Sequence, residues 1–267
     1  MSELPALKNA ALVLDNRVAT LTFQRDDVRN ALTGTEIAND IVTTLEWANA
    51  CADVSVLIMT GEGSAFSAGG NIKNMAARAK ESPHILAQYY KYGVQRIPLA
   101  MQAVEIPVIA AVNGPAIGAG FDLANMCDIR IGSTNAQFGE TFANLGLIAG
   151  DGGGWFLQRM VGYQRAAELT FTGRTIKAEE ARAIGILLEI TEPEGLLARA
   201  QEMAAKIATK PPLALRYSKR LLRLAQQQNL PEHLDTCSSF QAICQKSDDH
   251  VEALAAFFEK QIGRAHV

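Results

Sequence analysis

Two stretches of this 267-residue chain could do chemistry with backbone alone: GEGSAFSAGGNIK at 61–73 and NGPAIGAGFD at 113–122. Each is a Gly- and Ala-rich turn that follows an apolar, strand-like run and leads into a helical pattern. Small residues let a ligand approach main-chain N–H groups closely. A helix N-terminus adds unpaired N–H donors and a partial positive charge. Two such turns, each aiming one N–H at a single oxygen, would stabilise an enolate or other oxyanion, where one donor is worth roughly 3–4 kcal/mol. Other uses stand beside this one. Gly-rich strand-to-helix turns also serve packing alone. A helix N-terminus can hold a phosphate, although neither turn carries the Gly-Lys-Ser/Thr of a P-loop or fits the dinucleotide fingerprint. Ser64 and Ser67 raise a nucleophilic serine, but neither lies in G-x-S-x-G, and the four histidines (His84, His233, His250, His266) fall in helical or terminal contexts.

The elements that must hold these turns are legible as patterns. Residues 11–23, ALVLDNRVATLTF, carry two apolar β-type runs around Asp15-Asn16 and predict a hairpin. Thr33 with Glu36 three residues later has the form of a capping box, and Ile37, Ile41, Leu45 and Ala48 recur at helical spacing behind it. SVLIMTG (55–61), IPVIAAVNG (106–114), CDIRIGS (127–133) and GILLEI (185–190) are strand candidates with helical patterns between most of them. That alternation argues for crossover units and a largely parallel sheet. After about residue 195 the patterns are helical only, with Pro211-Pro212 marking a boundary. The expected architecture is an α/β core over 1–195 and an all-helical region over 196–267.

Composition narrows the function. The net charge is −3, far from the strongly basic balance a nucleic-acid protein needs. Four scattered cysteines (Cys51, Cys127, Cys237, Cys244) form no CxxC pair and suit reduced, mostly buried thiols. No His, Cys or carboxylate cluster has metal-ligand spacing. MSELPALKN lacks the pattern of a secretion signal, and no apolar run reaches the roughly 20 residues that cross a bilayer. A cytoplasmic protein with no nucleic-acid, membrane or metal partner is expected.

Three blocks in register carry a resemblance: GEGSAFSAGGNIK, then PVIAAVNGPAIGAGFDLANMCDIRIGS, then AQFGETFANLGLIAGDGGGWFLQRMVG. Their order and spacing resemble the crotonase, or enoyl-CoA hydratase/isomerase, superfamily, and the likeness runs from the hairpin to DDHVEALAAFFEKQ. The resemblance implies a ββα spiral core, a C-terminal helical trimerisation region giving a homotrimer or a dimer of trimers, and an acyl-CoA thioester as substrate, with coenzyme A entering as part of that substrate rather than as a cofactor. It implies an oxyanion hole at the N–H groups of Ala68 and Ala119. It implies CoA contacts at Arg29 and Ala31 in RDDVRNAL, at Gly69, Gly70, Asn71 and Ile72, and at Phe258 and Lys260, the last two often reaching a neighbouring subunit. An exposed arginine such as Arg29 is otherwise merely solvated, and Phe258 and Lys260 otherwise form a helix stripe and its edge.

Typical hydratases of this family use two glutamates. The first position here is Asp122, whose carboxylate sits roughly 1.5 Å closer to the backbone than a glutamate's. Misplacement on that scale changes a rate by about a hundredfold. The second falls on Phe142, which cannot transfer a proton. Some family members with isomerase or C–C bond-cleaving activity carry an aspartate in or near the loop that holds Asp151. Asp122 and Asp151 are therefore the candidate acid and base. Either has a structural alternative, Asp151 as a helix cap and Asp122 as a cap or ion-pair partner. Glu140, two residues before Phe142, is a weaker candidate partner, because a shift of two can aim it elsewhere. Asp128 recurs in the family as a structural feature. The expected activity is hydration or double-bond isomerisation of an enoyl-CoA, and isomerisation survives loss of the second glutamate better. C–C bond hydrolysis of a β-diketone and a catalytically silent acyl-CoA-binding subunit are the alternatives. The acyl pocket is expected to draw on Met75–Ala103, which includes Tyr89, Tyr90 and Tyr92.

Overall fold

A computed structural model describes residues 3–259. The hairpin pairs β1 (Ala10–Asp15) with β2 (Val18–Phe23), and Asn16 and Arg17 make its turn in the left-handed region, with φ of 46° and 69°. The first helix, α1 (Ile37–Ala50), lacks the expected capping box. Thr33 Oγ1 instead accepts the Asn71 N–H at 2.8 Å, and Thr35 Oγ1 accepts the Ile37 N–H at 3.2 Å.

The chain then runs through β3 (Val56–Gly61), α2 (Ile72–Arg78), α3 (Pro83–Tyr92), α4 (Arg96–Ala103) and β4 (Val108–Val112). Next come β5 (Pro115–Ile117), α5 (Ala119–Met126), β6 (Ile129–Ser133), β7 (Gln137–Gly139), α6 (Gly153–Val161), α7 (Tyr163–Thr172), β8 (Thr175–Lys177), α8 (Ala178–Ala183) and β9 (Glu189–Thr191). Among the described residues the helices α9 (Leu196–Ala208), α10 (Pro212–Leu224), α11 (Leu230–Gln245) and α12 (Asp248–Phe258) follow.

Six strands form the large sheet in the order β1-β2-β3-β4-β6-β9, parallel except for the hairpin pair. Its central strands are covered on both faces, so they read as continuous apolar runs rather than alternating ones. Alternation appears instead in where each residue goes. Val56, Ile58, Ile109 and Ala111 pack against Ala200 and Ala204 of α9. Leu57, Met59, Val108 and Ala110 face the main core with α1, α4 and α5. Thus α9, the first helix past residue 195, is itself a cover of the sheet. A second sheet of three short strands, β5-β7-β8, stands beside the first.

Asp128 ties this core to the C-terminal helices. Its Oδ2 accepts the Val108 N–H at 2.7 Å and meets Lys219 Nζ of α10 at 2.6 Å, where Lys219 also donates to the Ile106 carbonyl. Removing one partner of such a pair leaves a buried charge uncompensated. Lys219 is buried but the Asp128 side chain is 33% exposed, so Asp128→Ala is expected to cost about 1.5–3 kcal/mol of unfolding free energy in a urea titration. An unchanged midpoint would mean that the Lys219 ammonium does not depend on Asp128.

Candidate active site

The segment 25–33 builds the first turn from beneath. Arg29 and Asn30 adopt left-handed backbone, with φ of 51° and 53°, which folds RDDVRNAL under residues 62–71. The buried Asn30 side chain donates to the Glu62 and Ala65 carbonyls at 3.0 and 2.9 Å and accepts the Arg25 N–H at 2.8 Å. Ser67 Oγ donates to the Asn30 carbonyl at 2.7 Å and accepts the Gly69 N–H at 3.1 Å. Leu32 N–H donates to the Gly69 carbonyl at 2.7 Å.

A parallel bridge between Ser67 and Ala116 sews this turn to the second one. Ser67 N–H donates to the Pro115 carbonyl at 3.2 Å, and Ile117 N–H donates to the Ser67 carbonyl at 3.0 Å. The approach is close enough to exclude side chains. At Gly69, with φ +74°, a Cβ would collide with the Ile117 carbonyl and come 2.9 Å from Ala119 N. A Cβ at Gly120 would collide with the Ser67 carbonyl.

These bonds correct one expected donor. Ala68 N–H is already spent on the Arg29 carbonyl at 2.8 Å, because the left-handed turn at Arg29 points that carbonyl upward. Ala68 is also absent from the wall of the cavity that Gly70 and Ala119 share. Among the described residues, the N–H groups of Gly70 and Ala119 have no acceptor. Sequence spacing does not reveal which amide of a turn is consumed locally, so the donor moves two residues along.

The other expected contacts divide. Asn71 caps α2, accepting the N–H groups of Lys73 and Asn74 at 3.0 and 3.4 Å. Ile72 is exposed at the start of α2. Arg29 is exposed, and Ala31 is buried with its N–H bonded to the Val28 carbonyl and its own carbonyl bonded to Thr35. Phe258 is exposed at the end of α12 and does not reach the cavity wall within this chain. Lys260 lies outside the described residues.

The cavity is narrow, about 40 Å³, and largely apolar. Met75, Tyr89, Tyr90 and Val94 form one wall of it, while Tyr92 is exposed and lines an outer groove instead. Arg78 stacks over Tyr89 at 3.8 Å. The Tyr90 ring closes against Gly150, where a Cβ would be 3.0 Å from its Cε1. Gln95 Nε2 holds the Gly150 carbonyl at 2.7 Å. Beyond that wall lies an apolar groove of about 450 Å³, and Asp151 borders both spaces.

Among the described residues, Asp151 is the one carboxyl on the cavity wall. It does not cap a helix: α6 has Gly152 at its N-cap and no side-chain cap. Asp122 and Glu140 stand behind it, 0 and 1 % exposed, and neither pairs with a cation among the described residues. Glu140 departs from expectation. A Cβ at Gly153 would collide with Asp122 Oδ1 and lie 2.5 Å from Glu140 Oε1, so both carboxyls crowd one point. The cause is local: β7 ends at Gly139, and the 3₁₀ turn at Thr141–Leu145 begins directly after Glu140, so strand alternation no longer sets its direction. Phe142 packs its ring over Gly118, 3.5 Å from where a Cβ would be, and so occupies the site with carbon.

Without protons between them, both oxygens of Asp122, both of Glu140 and Oδ1 of Asp151 would be buried with no donor. Three carboxylates at this depth cannot all be ionised. Burial, then the charges of Asp151 and Glu140, hold Asp122 well above the ordinary carboxyl range. Burial raises Asp151, opposed by its hydrogen bond with Asp122. Burial pushes Glu140 up to about 7. Burial and the neighbouring Asp151 charge also raise the Tyr90 phenol.

The Enoyl-CoA hydratase/isomerase family profile matches residues 14–263. The chain is 36% identical over 258 residues to the short-chain-enoyl-CoA hydratase of Clostridium acetobutylicum, covering 96% of each protein. It is 34% identical over 262 residues to the crotonyl-CoA hydratase of Syntrophomonas wolfei, covering 96% of this chain and 97% of that one. The crystal structure of an enoyl-CoA hydratase from Bacillus anthracis superposes with a TM-score of 0.90 at 30% identity, covering 97% of this chain and 99% of the other. Among the described residues no helix is long and apolar enough to cross a membrane.

The carboxyl cluster makes a thermodynamic prediction. A carboxyl kept protonated by the fold binds its proton more tightly than in the unfolded chain, so its stabilising share is whole below about pH 4.5 and lost as pH rises through about 7. For Glu140 that share is about 3 kcal/mol. Urea titrations across this range should show wild type losing that much more stability than Glu140→Gln; parallel curves would place the Glu140 proton elsewhere.

Proposed function

This chain belongs to the enoyl-CoA hydratase/isomerase family, and we propose that it shifts the double bond of an enoyl-CoA thioester with Asp151 as the proton carrier. It is an enzyme with the crotonase fold, acting on acyl-CoA thioesters. The observation that carries the finer reading is the single carboxyl on the cavity wall, Asp151, facing a cavity where Phe142 fills the second acid position. Double-bond migration needs one group that takes a proton from one carbon and returns it to another. Hydration needs a second group to activate water.

In this reading the thioester carbonyl points at Gly70 and Ala119. The Asp151 carboxylate removes a γ-proton, the electron pair moves into the conjugated system, and the resulting dienolate oxygen is held by the two N–H donors. Those donors are fixed before the reaction begins, so charge develops against an environment that need not reorganise. The protonated Asp151 then returns its proton at the α-carbon, which restores the carboxylate. The reverse direction uses the same steps. Met75, Tyr89, Tyr90 and Val94 exclude water and bound the acyl group. The narrow space favours a short acyl chain.

Hydration is the second reading, favoured by the names of the relatives. Exposed apolar residues on the C-terminal helices, among them Leu222, Leu230, Leu234 and Phe257, support self-association as a homotrimer or a pair of trimers.

The reaction is tested by mass spectrometry of enoyl-CoA esters incubated in deuterated water. Wild type should place deuterium on the α- and γ-carbons, and Asp151→Asn should lower that exchange about 10²–10⁴-fold. Turnover of free β-diketones without any CoA-dependent exchange would replace this reading with C–C hydrolysis. Phe142→Glu, which supplies a second carboxyl, is expected to raise the yield of 3-hydroxyacyl-CoA relative to the shifted alkene. Wild type forming only the hydroxyacyl product would install hydration as the activity.

A further inference from the structure

Glu140 has no role in the reaction as derived so far, yet it is a carboxyl 1 % exposed with neither oxygen bonded to a donor group of the protein. Its Oε1 and Asp122 Oδ1 crowd the same point beside Gly153, and Asp122 lies between it and Asp151. The titratable groups that bear on Glu140 are Asp122 from α5 and Asp151 from the loop before α6, and Tyr90 of α3 bears on Asp151 in turn. No Lys, Arg or His acts on any of the three carboxyls among the described residues. The cluster is therefore neutralised by protons or not at all.

From this juxtaposition we infer that Glu140 is a positioning residue: its carboxylic acid donates to Asp122, whose own O–H donates to Asp151, so that the negative charge of the cluster is held on the oxygen facing the substrate. The inference rests on the reading of Asp151 as acid and base. It gives each hydrogen a place. Glu140 Oε–H bonds to one Asp122 oxygen, the other Asp122 oxygen carries the second proton, and Asp151 accepts it. Neither proton leaves the pair during turnover; the proton that moves along the substrate is the third. A carboxylate that accepts a hydrogen bond from a neighbouring acid is oriented and its ionised form is favoured.

The relay also sets a limit. When Glu140 ionises, near pH 7, it competes with Asp151 for the Asp122 hydrogen. The Asp151 oxygen then loses its donor, and a second negative charge stands behind it.

The test is the pH profile of kcat and KM for the double-bond shift, between about pH 5.5 and 9, for wild type, Glu140→Gln, Glu140→Leu and Asp151→Asn. Wild-type kcat should fall above about pH 7. Glutamine is isosteric and keeps its N–H donor at every pH, so Glu140→Gln should lose that alkaline limb and exceed wild type by about tenfold near pH 8.5, with KM changed less than twofold. Leucine has no donor, so Glu140→Leu should lower kcat by about tenfold at every pH while leaving KM near wild type. An alkaline limb retained in Glu140→Gln, or a Glu140→Leu kcat equal to wild type, overturns the inference and leaves the role of Asp151 intact. Full activity in Asp151→Asn overturns the reading beneath it.

Discussion

One short parallel bridge, Ser67 against Ala116, makes a single wall out of two loops that are distant in the chain. Each loop alone is a bare strand-to-helix turn, and such turns are common. Joined, they leave no room for side chains at Gly69 and Gly120 and bring the free amides of Gly70 and Ala119 to one cavity. The rest of the fold serves this contact. The parallel pairing of β3 with β4 brings the two loops out at the same end of the sheet. The left-handed pair Arg29-Asn30 props the first loop, and β5 with β7 carries the second.

The second constraint is electrostatic. A buried carboxyl without a counter-charge is costly, and three together would be prohibitive if ionised. Among the described residues no cation pairs with the cluster, although arginines and lysines are used elsewhere: Arg130, Lys219 and Arg223 all bond to backbone carbonyls near the end of α4 or α5. Shared protons keep the cluster neutral enough to bury while leaving one site able to exchange.

Much of this was readable in the residues. The hairpin, the central strands and the helical C-terminus follow from apolar runs and helical spacing, and both turns stand out by their small residues. Other features hide for physical reasons. Strands β5, β7 and β8 have three residues each, too few to show a period. Thr33 and Glu36 satisfy the spacing of a capping box, but the threonine hydroxyl serves a distant amide, and no local pattern records that. Ala68 failed as a donor for the same reason: its hydrogen bond to Arg29 is made across 39 residues of chain. Glu140 ranked only as a weaker candidate because the backbone leaves strand geometry at the residue itself.

The segment α2–α3 walls the cavity through Met75, Tyr89 and Tyr90, yet not one of its helical residues is fully buried. It leaves from β3 and comes back through α4 to β4, while those two strands pair without it. On the proposed reading, selectivity is housed in an outlying excursion, and catalysis at the end of the sheet that the excursion merely overhangs. Evolution can rewrite the former at small energetic penalty, retuning which thioesters enter without unsettling the machinery that transforms them.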